Sequence, residues 1–417
     1  MLIFSLLFFF CSGFQNNQIE GSSIGLHNEI KEEKGPYNGR LLVTPLKSKK
    51  VYLVNNNNEV VFTWSNQEQG FMSYLLPNGN LLNVASAFTQ DENPFAEGGS
   101  CGIVQEIDKN NTVVWDFTLA NETNLLHHGI EVLPNGNILM IAWEKLSEEV
   151  AIELGRKLDL LVNAEFWPDT IIEVNPKTNE IVWEWKSYDH FVQDINPSLD
   201  NYGTISEHPG LIDVNYNKSK RPNKVNAVFM HTNAVSYNPV TDQIMLSVHS
   251  FSEIWIIDHS TTKTEASSHE GGKSGMGGDI LYRYGNPETY DQGAQNDRTL
   301  FGQHDAQWIP TGLPGEGNVL IFNNGMKRIR EYSTVDEIQL QQGNKAELIW
   351  RYQESGFFSA NISGAQRLPN GNTLICNGQA GEVFEVTPGK EKIWEFQNNI
   401  TESKSLFTAL KYQIESP

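Results

Sequence analysis

Three histidines stand at one position of a repeating pattern. His128 lies six residues before Pro134 in HGIEVLP, and His304 lies six before Pro310 in HDAQWIP. His231 opens HTNAVSYNP, and matching its Val235 to Val132 and Trp308 gives the same register. The equivalent places in other repeats hold Phe71 and Ser363. Only ten histidines occur in 417 residues, so scatter would seldom align three of them. Two chemistries suit such a set. Neutral imidazoles bind transition metals. Alternatively, one ring is a nucleophile or acid–base catalyst and the others orient a substrate. No carboxylate shares the register, although Asp305 and Asn233 adjoin it, which argues against a metal. A fourth histidine, His249 in LSVHSFSEIWIID, falls on the second strand of its unit and is aimed at the channel or a neighbouring blade. Strand alternation turns His127 away from His128, toward a structural role. Arg283, Arg298 and Arg328 flank loops, as solvated charges or anion contacts. Phe166, Trp167 and Tyr188 either stack on an aromatic ligand or pack the loops. The GGKSGMGG stretch at 271–278 lacks the strand–loop–helix setting of a phosphate loop.

Positioning three rings together requires a radial scaffold, and the sequence repeats accordingly. The phrase Pro-Asn-Gly-Asn plus an apolar pair occurs at 77–82, 134–139 and 369–374, with looser versions at 315–322 and 239–246. Asn-Gly between apolar runs favours φ > 0 and a tight β-hairpin. Each hairpin is followed by an apolar strand, a polar turn and a strand ending in an aromatic. Six such endings fall at Trp64, Trp115, Trp183, Tyr282, Trp350 and Trp394. Two hairpins per unit and six units predict an all-β, six-bladed β-propeller. The unit beginning near Arg40 lacks a strand, which 406–414 (LFTALKYQI) supplies to close the ring. The innermost strand of each blade lines the central channel, so the histidines converge at one mouth. Long insertions at 144–168, 187–226, 259–278 and 285–302 map to loops. Helical spacing at 150–163 predicts a short helix there, a candidate lid.

Composition narrows the function. Lys and Arg number 30 against 51 Asp and Glu, a net charge of −21, which argues against a nucleic-acid binder. Ten tryptophans and 21 phenylalanines exclude a disordered chain, and 3 cysteines exclude a disulfide scaffold. Residues 1–13 (MLIFSLLFFFCSG) are apolar but too short to span a bilayer, and read as a secretory signal. Cys11 offers a lipid anchor, against cleavage to a soluble product. Residues 14–39 form a flexible leader, and 40–417 the propeller domain. The chain is therefore expected to be exported to the periplasm or cell envelope. Cys101 and Cys376 are expected as buried, unpaired thiols. Asn110, Asn217, Asn361 and Asn399 are glycosylation acceptors only in a host that glycosylates.

The phrases HHGIEVLPNGNILMIAW (127–143), HTNAVSYNPVTDQIMLSVHSFSEIWIIDHSTT (231–262), GGDILYRYGNP (277–287) and FGQHDAQWIP (301–310) resemble the arylsulfate sulfotransferase family that works without a nucleotide sulfate donor. The resemblance runs from about Gly39 to Tyr412. It implies a six-bladed propeller, no cofactor and no metal. It also implies transfer of a sulfuryl group from a phenolic sulfate ester to a phenol through a sulfated histidine, with ping-pong kinetics. His304 matches the family's nucleophile, and His231 and His128 match its two supporting histidines. The family's arginine in the second strand of the His231 blade is replaced here by His249. A guanidinium is always charged and grips sulfate with two donors, whereas an imidazole is charged only part of the time near neutrality. Well-studied members carry an additional N-terminal β domain, for which this sequence leaves no room. Two other readings stay open: a non-catalytic propeller that binds a ligand or an envelope protein, and a metal-dependent propeller hydrolase. The hydrolase would need Asp, Glu or Asn at the ring positions.

Overall fold

The computed structural model describes residues 35–89, 92–95, 97–217, 227–327, 329–400 and 403–414. The apolar run 1–13 with Cys11, most of the leader, and Arg328 lie outside them. No helix among the described residues is long and apolar enough to cross a membrane.

The Pro-Asn-Gly turns are three-residue hairpin loops. Leu76, Leu133 and Leu368 each donate N–H across the loop to the Asn after glycine, and Gly79, Gly136 and Gly371 adopt φ of 82°, 86° and 89°. That second Asn has a further task. Asn80, Asn318 and Asn372 donate side-chain N–H to Glu106, Glu337 and Glu385 on the third strand of their blades, at 2.6, 2.6 and 2.7 Å. Asn137 does the same to Glu173. Each of these glutamates faces its blade's aromatic ending across the ladder: Trp115, Trp350, Trp394 and Trp183.

The result is six four-stranded antiparallel sheets. Blade 1 takes its innermost strand, Leu406–Tyr412, from the C-terminus, paired to Arg40–Pro45, so the last strand closes the ring as the sequence predicts. The innermost strands of blades 3, 4 and 5 are Asn124–Val132, Thr232–Asn238 and His304–Trp308. The aromatic endings stitch neighbours together. Trp115, Trp183, Trp350 and Trp394 donate indole N–H to Asn179, Thr261, the Pro388 carbonyl and the Asn56 carbonyl, each on the next blade. Tyr282 bonds the Lys345 carbonyl of blade 5 in the same way. Trp64 is the exception: it is fully buried, and Ser65 N–H to Asn111 makes the link from blade 1 to blade 2.

Apolar side chains fill every seam. Leu41, Val43 and Leu406 of blade 1 pack on Leu374 and Val383 of blade 6, for example, and Met245 and Ile254 of blade 4 on Ala306 and Val319 of blade 5. Each fully buried Leu, Val, Ile or Met among them contributes about 1.5–3 kcal/mol, so the ring is held by its seams and its closing strand. Cys101 and Cys376 are buried free thiols in this packing.

The helix expected over 150–163 is shorter than its spacing implies. An α-helix covers Glu148–Glu153 and a 3-10 turn covers Leu158–Leu160. Gly155, at φ 84°, ends the helix: its N–H bonds Ile152 O and that of Arg156 bonds Ala151 O, which satisfies the last carbonyls. The segment is tied down rather than poised as a lid, because the buried Arg156 guanidinium donates to the Val214 and Leu160 carbonyls.

Candidate active site

All four histidines meet at one end of the channel. Their ring centroids form a chain: 4.7 Å from His128 to His231, 5.3 Å from His231 to His249, and 5.2 Å from His249 to His304. Phe407 of the closing strand lies 5.7 Å from His128 and 6.0 Å from His304 and completes the circle. Phe71, at the blade 2 equivalent of the histidine position, packs against Phe407 at 4.5 Å. His249 sits one residue beyond the second strand of blade 4, Gln243–Val248. His128 and His304 are buried, whereas His231 and His249 are partly accessible.

A local irregularity aims these rings. The innermost strands of blades 3, 4 and 5 all slip register near their histidine. His128 and His231 adopt φ of 56° and 55°, and Asp305, next to His304, adopts 54°. Non-glycine residues enter this region rarely, and bulges re-aim side chains beside functional sites. The bulge also corrects the expectation for His127. Alternation fails there, and His127 Nδ1 lies 2.8 Å from His128 Nδ1. His127 stacks on Trp143 at 4.0 Å, and its Nε2 is 3.8 Å from Asp169, which accepts the Thr232 N–H at 2.7 Å.

His304 is held in one tautomer. Asn324 donates its amide N–H groups to the Ser359 and Ile362 carbonyls, so its Oδ1 is left to accept from His304 Nδ1–H at 2.9 Å. The lone pair is then on Nε2, which accepts the Ile362 N–H at 3.1 Å. Ile362 and Ser363 both have positive φ, 52° and 83°, an unusual turn that carries this N–H to the ring. Burial pushes His304 down to about 4, against the opposing effect of the Asn324 bond. Burial and the His231 ring hold His128 and His127 well below the usual imidazole range. The three are therefore neutral at pH 7 without ligand. Burial lifts Asp169 to about 7.

Beyond the histidines a cavity of about 620 Å³ runs along the innermost strands to the opposite mouth, past the turns at Pro134 and Pro310. Its polar lining includes Tyr74, Glu131, Asp305 and Gln366. Both carboxylates are half-buried at the cavity wall: burial raises Glu131 to about 8, with Asp305 adding to the effect, and raises Asp305 to about 7. The second neighbour of the ring, Asn233, is buried and donates to the Gln303 carbonyl at 2.8 Å.

Other sequence candidates resolve as structure. Arg283 is not a solvated charge but a buried ion pair with Glu253 at 2.6 Å, bonded also to the Pro209 and Leu211 carbonyls. Arg298 is largely buried against Glu288 at 3.6 Å. Phe166 and Trp167 pack loops, Trp167 against Phe95 at 4.8 Å. Sequence reasoning missed Gly99, Asn324 and Asp169. Gly99 covers His128 so closely that a Cβ there would lie 2.0 Å from ring Cε1. No repeat register marks any of the three. Phe407 lies on the closing strand, which the sequence does mark.

The family model for arylsulfotransferases (ASST) matches residues 42–415. The chain belongs to the arylsulfotransferase family. Family membership makes it an aryl sulfotransferase in general terms, with small aryl molecules as substrates. No curated protein matches the sequence. Among solved structures, a Bacteroides caccae protein of unknown function is similar over 91% of this chain and 100% of its own, with a TM-score of 0.52 at 13% identity. Virginiamycin B lyase from Staphylococcus aureus is similar over 89% and 86%, with a TM-score of 0.42 at 11% identity. At such identities the likeness to the first concerns the fold alone.

Proposed function

We propose that the chain moves a sulfuryl group from a phenolic sulfate ester to a phenol by way of sulfated His304. The supporting observation is the fixed tautomer: Asn324 holds Nδ1–H and leaves the Nε2 lone pair for sulfur. Substrate displaces the Ile362 N–H from Nε2, and that N–H becomes a donor for a sulfuryl oxygen. The Nε2–S bond forms as the S–O bond to the phenol breaks, and the electron pair leaves on the phenolate. An attacking phenol later gives its proton to the neighbouring imidazole that protonated the first phenolate, its oxygen takes the sulfuryl group, and the N–S bonding pair returns to Nε2, splitting one hard step into two.

The neutral resting state suits the nucleophile but not the anion. A bound sulfate monoester supplies the missing negative charge, which favours protonation of His128 and His231 beside it. One of them then gives a proton to the departing phenolate, whose ordinary pKa is about 10. His249 stands where the family arginine would grip the sulfuryl oxygens. The apolar run 1–13 supports export, with action in the periplasm or envelope and Cys11 as a lipid-attachment point.

Initial rates with a chromogenic aryl sulfate and a varied phenol acceptor test this reading. Parallel double-reciprocal lines are expected. Intersecting lines would mean a ternary complex and no sulfated enzyme. Well-folded protein that releases no phenol from any aryl donor would leave a propeller that only binds.

A further inference from the structure

A second histidine cluster lies away from the channel. Among the described residues, one group brings three metal-binding atoms within 4.8 Å of one another: His190, His269 and Asp279. His190 ends the 3-10 turn Ser187–His190 that follows the outer strand of blade 3, Glu180–Lys186. His269 and Asp279 belong to the long loop between Glu253–Asp258 and Tyr282–Tyr284 of blade 4. Asp279 Oδ1 is 2.8 Å from His190 Nδ1 and 2.7 Å from His269 Nδ1.

The chemistry of His190 is overcommitted for a neutral ring. Its Nε2 lies 2.9 Å from the Ala266 carbonyl. A carbonyl oxygen only accepts, so Nε2 carries the hydrogen and Nδ1 of the neutral ring carries a lone pair. That lone pair faces a carboxylate oxygen. Something positive belongs between them, either a second proton or a cation. The ring cannot turn away. Trp185 stacks on it at 5.6 Å and donates its indole N–H to the Gly278 carbonyl, and a Cβ on Gly278 would lie 2.6 Å from His190 Nε2. A ligand histidine whose other N–H is fixed by a backbone carbonyl is the usual outer-shell arrangement of a metal site.

We propose that His190, His269 and Asp279 bind one divalent transition ion, zinc by the donor set, which staples the turn Ser187–His190 to the long loop of blade 4. Two imidazoles and one carboxylate suit zinc or copper rather than calcium or magnesium, which take all-oxygen sites. Bonds of about 2.0–2.1 Å in a tetrahedron separate ligands by roughly 3.3 Å, so the present contacts must open by about half an ångström. His269 allows this, since its side chain is 60% exposed while that of His190 is fully buried. A water completes the fourth position, toward the surface cavity that His269 and His208 line.

The test uses the full chain, stripped with a chelator and titrated with zinc chloride by calorimetry. Cobalt(II) serves as a spectroscopic probe of tetrahedral geometry. One ion per chain is expected, with a rise in melting temperature and a strong visible cobalt band. His269→Ala, which alters an exposed side chain, and Asp279→Asn should each weaken binding by about a hundredfold or more, whereas His304→Ala should leave it unchanged. Three results would overturn the proposal. One is no saturable zinc binding in folded protein. Another is binding that survives in His269→Ala and Asp279→Asn. The third is binding lost in His304→Ala or His231→Ala, which would put the ion in the channel.

Discussion

Gly99→Ala puts the claim that His128 belongs to the reacting ring to a physical test. The added Cβ would lie 2.0 Å from Cε1, 2.3 Å from Nε2 and 2.4 Å from Nδ1 of His128. Ordinary carbon contacts are about 3.5–4.0 Å, so the ring or the loop must retreat by roughly 1.5 Å. Gly99 also has φ 90°, where an alanine costs about 1–2 kcal/mol. Overpacking adds about 1–3 kcal/mol, for a total loss of about 2–5 kcal/mol. A displacement of about 1 Å in a positioned group can cost about a hundredfold in rate. Two assays separate these effects: guanidinium unfolding for stability, and kcat with a chromogenic aryl sulfate at a temperature where the variant is folded. The expected result is a fall of about a hundredfold in kcat. In Gly99→Ala/His128→Ala, the overpacking part of the stability loss should be recovered, because the colliding ring is gone. Wild-type kcat in folded Gly99→Ala would show that the place of His128 is immaterial to the reaction, and the reasoning would fail.

Further outcomes follow from the same geometry. Because burial pushes His304 down to about 4, kcat/KM should keep its acid limb near pH 4, and a limb near 6.5 would mean that the nucleophile is an ordinary exposed imidazole. The same depression has a stability consequence. Between about pH 4 and 6.5 the unfolded chain binds a proton that the fold refuses, so His304→Gln should make the protein less acid-sensitive in that window, read by unfolding at pH 4.5 and 7.5. Asp305 has the opposite sign, raised to about 7, so its burial penalty is absent near pH 4 and complete above pH 7. Asp305→Asn should therefore stabilise by on the order of 2 kcal/mol at pH 8 and little at pH 4, after allowing for water in the channel; equal effects at both pH values would refute this. His249→Arg restores a cation that does not titrate. It should lower KM for the aryl sulfate most at alkaline pH, and an unchanged KM from pH 6 to 9 would remove His249 from sulfate binding.

The sequence carried most of the ring because a propeller writes its geometry as a repeat. The hairpin turns, the aromatic endings and the register of His128, His231 and His304 are all local signals repeated at intervals. The closing strand was legible for the same reason, as the piece that blade 1 lacked. Three kinds of information were not repeated and so were not readable. The bulges at His128 and His231 depend on positive φ at histidine, which no alternation rule anticipates, and they bring His127 against His128. Asn324 and Gly99 act through contacts distant in sequence, with the Ser359–Ile362 turn and with His128. Arg283 looked like a loop charge because its partner Glu253 lies 30 residues away in sequence. The spacing over 150–163 implies too long a helix because the apolar pattern continues past Gly155, where the backbone turns left-handed.

Everything proposed for the ring turns on a covalent bond between sulfur and His304. Its most direct measurement is the intact mass of the mature chain after incubation with an aryl sulfate and no acceptor, followed by mapping of the modified peptide. One added sulfuryl group is expected on His304, lost when a phenol is supplied and never formed in folded His304→Ala. Acceptor-dependent turnover without any such adduct, or an adduct on another residue that persists in His304→Ala, would contradict it.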